Sequence, residues 1–462
     1  MRSKILLFSF ILFVLSSNAQ DNSFQLKDFK YRTPGFRALS VGINFSGNIS
    51  DANVMTQNEG NSKSLVLAPS LLSYYRIIST DKRLHSSTVS LQPGLQLQKT
   101  KQYGMEFKNN NFQYSFLWER NDKLYRNNDW FFEIGNRLTH SLLTATQQQQ
   151  SLDARQKNIE LKDIVVLGFG KGRIEQVQDA QMALNIIRDL EQQGLVSNLS
   201  AESIIDFASL ITDINSNRVF DTRRKRMYEL SRIDSFLRNS GWAPTTDIRH
   251  FNIINDNWVL ANNPGRLSGT SWFAQLQPGV EFLKEFSEAT SSMDVLSDDN
   301  IRKSFSVSPV VGFEKYVPVN LQWQQNLKLS LAWVAAWTHD ENTHGYNGSD
   351  EVLEQSVHET QTRLSGKYGL GYYPNTRTLI DASVNLEAIY TNYDKDYDLK
   401  NSFLLIPSFV FSTSYFISYK TRLSAYLDIN YAKYYVHPLI SENYQGRNFS
   451  TSVSISLTHN IF

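Results

Sequence analysis

Between residues 321 and 338 the chain alternates. Leu321, Trp323, Leu327, Leu329, Leu331, Trp333 and Trp337 hold odd positions, and Gln322, Gln324, Asn326, Lys328, Ser330 and Thr338 hold even ones. A period of two is that of an extended strand, whose successive side chains point to opposite faces. Trp323 and Trp333 are separated by a length of strand that, at ~3.3 Å per residue and a tilt of ~40°, rises roughly 25 Å. That is the height of the apolar band on a membrane barrel, with an aromatic girdle at each edge. The pattern recurs in Ile380, Ala382, Val384, Leu386, Ala388 and Tyr390, in Leu423, Ala425, Leu427, Ile429 and Tyr431, in Leu39, Val41, Ile43 and Phe45, and more weakly around Phe403–Phe411.

Strands are expected at 38–50, 64–78, 85–99, 110–121, 128–142, 157–169, 270–287, 302–315, 319–338, 356–373, 377–392, 400–416, 420–436 and 447–462. That is about fourteen, with 12–16 compatible with the pattern, and an even number suits a single-chain bacterial barrel. Short connections (80–82, 317–318, 374–376, near 420) alternate with longer polar ones (51–63, 290–300, 339–353, 437–447). This predicts short periplasmic turns, long outer loops and both termini in the periplasm. Phe462 closes the last amphipathic strand and resembles the C-terminal signal read by the barrel-assembly machinery, although it is out of phase with Val453, Ile455 and Leu457.

Between the sixth and seventh strands the period changes to that of a helix. Val177, Ala180, Leu184, Ile187 and Leu190 line one face ahead of Gly194; Ser200 can cap Ile204, Phe207, Ala208, Ile211 and Ile214; Asp221 can cap Met227, Leu230, Ile233 and Leu237 before Gly241. A three-helix insert at 171–250 is therefore expected between strands 1–6 (residues 20–170) and strands 7–14 (251–462). Strand parity puts it on the periplasmic side; the alternative is a plug folded into the lumen.

Composition narrows the setting. Residues 1–19 read as a cleaved signal peptide, with Arg2 and Lys4 before the apolar run Ile5–Leu15 and small residues up to Ala19. That run is too short to cross ~30 Å of hydrocarbon as a helix. The absence of cysteine excludes disulfides, thiolate chemistry and a lipidated cysteine. A hydrophobic fraction of 41 %, an aromatic fraction of 13 % and mean hydropathy −0.37 fit alternating lipid-facing and lumen-facing strands. A net charge of +1 argues against a nucleic-acid partner. The expected location is the outer membrane, with outer-membrane lipid as the surrounding medium.

The run Gly168-Phe-Gly-Lys-Gly-Arg-Ile-Glu-Gln-Val-Gln-Asp-Ala180, with Ile204–Thr212 and Phe220–Arg238, resembles a family of uncharacterised bacterial outer-membrane barrel proteins. The resemblance implies a barrel with an inserted helical region, and no activity.

No catalytic set, cofactor site or metal site is expected. Gly168, Gly170 and Gly172 fit neither dinucleotide nor phosphate-loop spacing and suggest a tight turn at the insert. His339 and His344 in an outer loop lack zinc-protease spacing. Arg223–Arg226 reads as a solvated helix face. The residues of interest are the charges on polar strand faces: Lys328, Arg363, Lys367, Asp381, Glu387, Arg422 and Asp428. They would either set a transverse field that selects a small solute or fill the interior as neutral pairs. The functional expectation is a channel or transporter; the alternative is a docking barrel that presents its insert to a periplasmic protein partner.

Overall fold

Residues that alternate in this way make ladders when each strand pairs antiparallel with its neighbour, and the chain does so throughout. The computed structural model describes residues 24–459 apart from 55–57, 103–104, 127–128, 150–151, 197–198, 217–221, 243–247, 259–265, 292–293, 348, 395–398, 418–420 and 439–443. The signal segment 1–19 and Phe462 lie outside the described residues. Six strands come first: β1 (Thr33–Val54), β2 (Asn58–Ser79), β3 (Arg83–Gln102), β4 (Met105–Tyr125), β5 (Trp130–Gln149) and β6 (Leu152–Gln176). Four helices follow: α1 (Gln178–Gln192), α2 (Ala201–Ser216), α3 (Thr222–Asn239) and α4 (Ile248–Trp258). Eight strands complete the chain: β7 (Leu267–Ser291), β8 (Val295–Pro318), β9 (Trp323–Tyr346), β10 (Ser349–Asn375), β11 (Thr378–Tyr393), β12 (Leu399–Phe416), β13 (Thr421–Pro438) and β14 (Tyr444–His459).

The sheet runs in sequence order from β1 to β14 with no crossover. It is curled. A 3-10 turn at Leu26–Asp28, just ahead of β1, touches β7 and β8. Six strand spacings in a flat sheet would be ~29 Å, and the link from Asp28 to Thr33 reaches at most about 17 Å. Only a cylinder brings these elements together. Outward positions are apolar and open, among them Trp130, Phe132, Trp272, Trp323, Leu329, Leu331, Trp333, Leu364, Val384 and Leu386. Antiparallel strands with an apolar outer surface are the architecture of an outer-membrane β-barrel, which satisfies its backbone groups between strands.

Three expectations need correction. The long outer loops are not loops: β1 and β2 continue to Val54 and from Asn58, and β9 and β10 run on to Tyr346 and from Ser349. Polarity there reports exposure to water, and the ladder continues above the apolar band. The insert has four helices rather than three. It runs from Gln178 to Trp258, where the sequence reading had 171–250 and barrel from 251. In α4 the buried positions mix apolar Ile254 and Trp258 with polar His250 and Asn257, which blurs the helical stripe. Lastly, Gly168–Gly172 is not a turn but lies inside β6. A Cβ at Gly170 would strike the Phe131 ring and the Trp272 carbonyl, so these glycines let aromatic rings pack across the inner wall.

The compact apolar core lies outside the cylinder wall proper. Val177, Ala180, Ile186 and Leu190 of α1 and Phe207, Ala208, Ile211 and Ile214 of α2 pack with Phe24, Leu26, Phe29 and Tyr31 of the N-terminal segment, and with Ile77 on the inner face of β2. Ser200 caps α2 as expected, its Oγ accepting from the Ser203 amide at 3.1 Å. Met227 points away from this core and is 64 % exposed; Phe236 instead stacks on Phe207, with Trp242 edge-on to both.

Candidate functional site

All seven singled-out charges lie on the inner wall, because register ties each to a parity opposite that of the exposed apolar residues. Lys328 faces Lys367 across β9 and β10, one row from the outward pair Leu329 and Gly366. Arg363 and Glu387 share the face opposite that of Leu364 and Leu386. Asp381 is opposite Gly371, and Asp428 opposite Val410. Arg422 stands in register with Phe416 and Thr458.

Their partners are local. Lys328 Nζ is 3.6 Å from Glu314 and sits 5.5 Å over the Tyr316 ring. Arg363 Nε is 3.5 Å from Glu387. Tyr426 donates its hydroxyl to Asp428 at 3.3 Å. The sequence reading missed most of the wall. Arg137–Glu119 (2.7 Å), Lys162–Glu281 (2.5 Å) and Arg302–Asp340 (2.7 Å) also bridge adjacent strands on the inner face. Extending the same parity count through β4–β8 would have found them. These pairs are open to water: Lys328 and Glu314 expose 46 % and 28 % of their side chains, and Arg363 and Glu387 expose 45 % and 38 %. An interior filled by side chains would have covered them.

His339 and His344 both fall in β9 rather than in a loop. Being an odd number of residues apart on one strand, they face opposite sides and cannot share a metal. His339 Nδ1 lies 3.0 Å from Ser356 Oγ, and His344 Nδ1 2.6 Å from Asp298. Among the described residues no group of three or more potential ligands could hold a metal ion. The side chains of Arg223–Arg226 lie outside the described residues.

One mouth of the cylinder is covered. The helices, the N-terminal segment and the even-numbered hairpin ends gather at this rim, and their core reaches Tyr75, Ile77 and Leu84 on the inner faces of β2 and β3. Ionic contacts fasten the cover. Arg32 donates to Asp81 (2.6 Å) in the β2–β3 turn and to Glu175 (2.8 Å) near the end of β6. Arg173 pairs ionically with Glu175 (2.9 Å), donates to Ser79 (3.0 Å) and lies over the Tyr125 ring at 4.6 Å. Arg32 holds the exposed Asp81 carboxyl below its usual range. Thr33 Oγ1 and Ser216 Oγ share a hydrogen bond of 2.7 Å, joining β1 to α2.

A second fastening is buried. Arg266, ahead of β7, has no solvent exposure and donates to the carbonyls of Asn320, Leu321 and Trp323 and to Gln324 Oε1, at 2.6–2.8 Å. Its guanidinium lies 4.7 Å from the Tyr373 ring, and burial lowers its pKa to about 10. It pins the end of the helical region to the β8–β9 turn.

No family model and no curated protein matches this chain. Among solved structures it is similar to a deletion mutant of the monoaromatic hydrocarbon channel TodX, with 10 % identity over 92 % of this chain and 90 % of that one, TM-score 0.35. It is also similar to the ferric yersiniabactin uptake receptor FyuA from Yersinia pestis, with 7 % identity over 92 % and 73 %, TM-score 0.32. The translocator domain of the autotransporter NalP from Neisseria meningitidis gives 10 % identity over 81 % and 88 %, TM-score 0.27. At these scores the likeness carries nothing about cargo.

Proposed function

We propose that this barrel is an outer-membrane channel or transporter for a small polar solute, covered on its periplasmic side by the helical lid. The observation that carries the reading is the solvent exposure of inner-wall charges that are already paired. Side chains such as Lys162, Lys328 and Arg363 line a water-filled passage, and their alternating sign favours a solute that is neutral overall or carries both charges. The lid and its ionic fastening regulate access. No catalytic role is proposed for the wall.

The test is single-channel conductance of the refolded full-length protein in a planar bilayer. Discrete steps are expected, with cation preference rising in Arg363→Gln and falling in Glu387→Gln. If neither the natural protein nor a variant with the Arg32–Glu175 contact removed conducts, the channel reading fails.

A second reading has one observation in its favour. Met227, Ile248 and Phe251 are exposed on the helices at 64 %, 69 % and 45 %. A surface of that kind on the lid suits a periplasmic protein partner.

A further inference from the structure

A cavity of about 710 Å³ opens on the outer surface of β7 to β10, away from the covered rim. Register explains its composition. Val280, Phe305, Trp337 and His358 stand opposite one another on four successive strands, and the next row away from the lid is Phe282, Lys303, His339 and Ser356. Trp337 and His339 share the parity of Trp323 and Trp333 on β9, so both rows face out. The Trp337 ring is flanked by the Phe305 ring at 5.8 Å and the His358 ring at 5.2 Å, which gives the cavity an aromatic floor. Polar groups line the rest. Lys303 adds an exposed ammonium, His339 and Ser356 are joined at 3.0 Å, and Asp394 donates its amide to the His358 carbonyl at 3.0 Å.

Height decides what fills it. Trp323 and Trp333 bound the apolar band, and Trp337 and His339 stand four and six residues past Trp333, roughly 10–15 Å above its edge at ~2.5 Å of rise per tilted residue. The outward side of β10 marks the same edge. Leu370, Tyr368 and Leu364 give way there to Thr362, Thr360 and His358, with Thr362 opposite Trp333. The headgroup zone of a bilayer extends only about 5–8 Å beyond the hydrocarbon on each side, so a glycerophospholipid head falls short of the upper row. A lipid that carries sugars reaches it. The aromatic floor suits the C–H face of a sugar ring, while His339, Ser356 and the Asp394 carboxylate can exchange hydrogen bonds with its hydroxyls. The Lys303 ammonium suits a phosphate on that sugar. We propose that this cavity binds the phosphorylated sugar headgroup of a glycolipid in the leaflet opposite the lid, with the sugar against Trp337 and the phosphate at Lys303.

The inference rests on the membrane-barrel reading above, with the lid in the periplasm. The full-length protein in detergent micelles is loaded with bisphosphorylated lipid A, with dephosphorylated lipid A or with phosphatidylglycerol, and bound lipid is counted by native mass spectrometry. Bisphosphorylated lipid A should be retained about tenfold over phosphatidylglycerol and about threefold over its dephosphorylated form. Trp337→Ala should abolish the first preference and Lys303→Gln the second. Both should persist in Trp337→Phe and in Lys315→Gln, whose charge is on β8 at the covered end. Heat-modifiable migration of each variant checks that it has folded. The proposal is overturned by equal retention of lipid A and phosphatidylglycerol, by survival of both preferences in Trp337→Ala/Lys303→Gln, or by complete displacement of lipid A with inorganic phosphate. It is also overturned if the natural protein is a stable oligomer that Trp337→Ala dissociates without any lipid preference, since the cavity would then be a subunit contact. Failure of the natural protein to insert into lipid vesicles would instead remove the barrel reading itself.

Discussion

Asp179 stands in the first turn of α1 with both carboxylate oxygens engaged, accepting from Thr212 Oγ1 at 2.7 Å and Asn215 Nδ2 at 3.1 Å on α2. Burial outweighs these bonds and pushes its carboxyl up to about 6. Burial pushes the Tyr31 hydroxyl upward and Asp179 adds to it, so the N-terminal segment and the helices share one electrostatic environment. The folded lid therefore binds the proton more tightly than the unfolded chain, whose aspartates titrate near ~4. Lid stability is fully present at pH below ~4 and falls as pH rises through about 6, by a total of roughly 1–3 kcal/mol. Asp179→Asn should flatten that dependence, read from melting of the lid followed by Trp242 and Trp258 fluorescence at pH 4.5 and 7.5. An unchanged pH slope in the variant would refute the assignment to Asp179.

Strand pairing on the inner wall depends on missing side chains. A Cβ at Gly312 on β8 would enter the Phe273 ring of β7, and one at Gly170 on β6 would meet both the Phe131 ring and the Trp272 carbonyl. The two sites predict different rescue behaviour. Gly312→Ala should lower stability by roughly 1–3 kcal/mol, and Phe273→Leu should restore much of it because a side chain is the obstacle. Gly170→Ala should not be restored by Phe131→Leu, because a backbone oxygen remains in the way. Folded yield and urea midpoints of the four variants check this; rescue of Gly170→Ala would mean that the strands separate more easily than their register implies. The helices follow the same logic of fit. Stripes over α1 and α2 were legible because their buried residues are apolar at helical spacing, whereas α4 presents His250 and Asn257 to the same core and escaped the pattern.

For the whole molecule, the lid is joined to the cylinder by apolar contacts with Tyr75, Ile77 and Leu84 and by directional polar ones. The Arg32–Glu175 bridge is partly sheltered, with 29 % and 15 % of the two side chains exposed. Its loss should weaken closure by about 1 kcal/mol, which is roughly a fivefold gain in the open-to-closed ratio. Glu175→Gln should therefore raise the open fraction of single-channel records by about that factor while leaving unit conductance unchanged, since Glu175 lies at the mouth and not among the wall pairs. A changed unit conductance with constant open fraction would place Glu175 in the passage and remove the latch.

What the chain determined by itself is periodic: fourteen strands in order, the switch to helix after β6, and which face each charge takes, because side-chain direction follows from the count of residues along a strand or helix. Lys328, Arg363 and Glu387 could be assigned to the interior on that basis alone. Their partners could not. Glu314 stands opposite Lys328, and Glu387 diagonal to Arg363, only through inter-strand register, which no single strand contains. The lid's seat at the rim is likewise tertiary. Phe24, Leu26 and Phe29 precede the first strand without a periodic signal, and they become core only when the sheet curls and brings β7 and β8 round to meet them. Local sequence sets the direction of each side chain; the closing of the cylinder decides what that side chain touches.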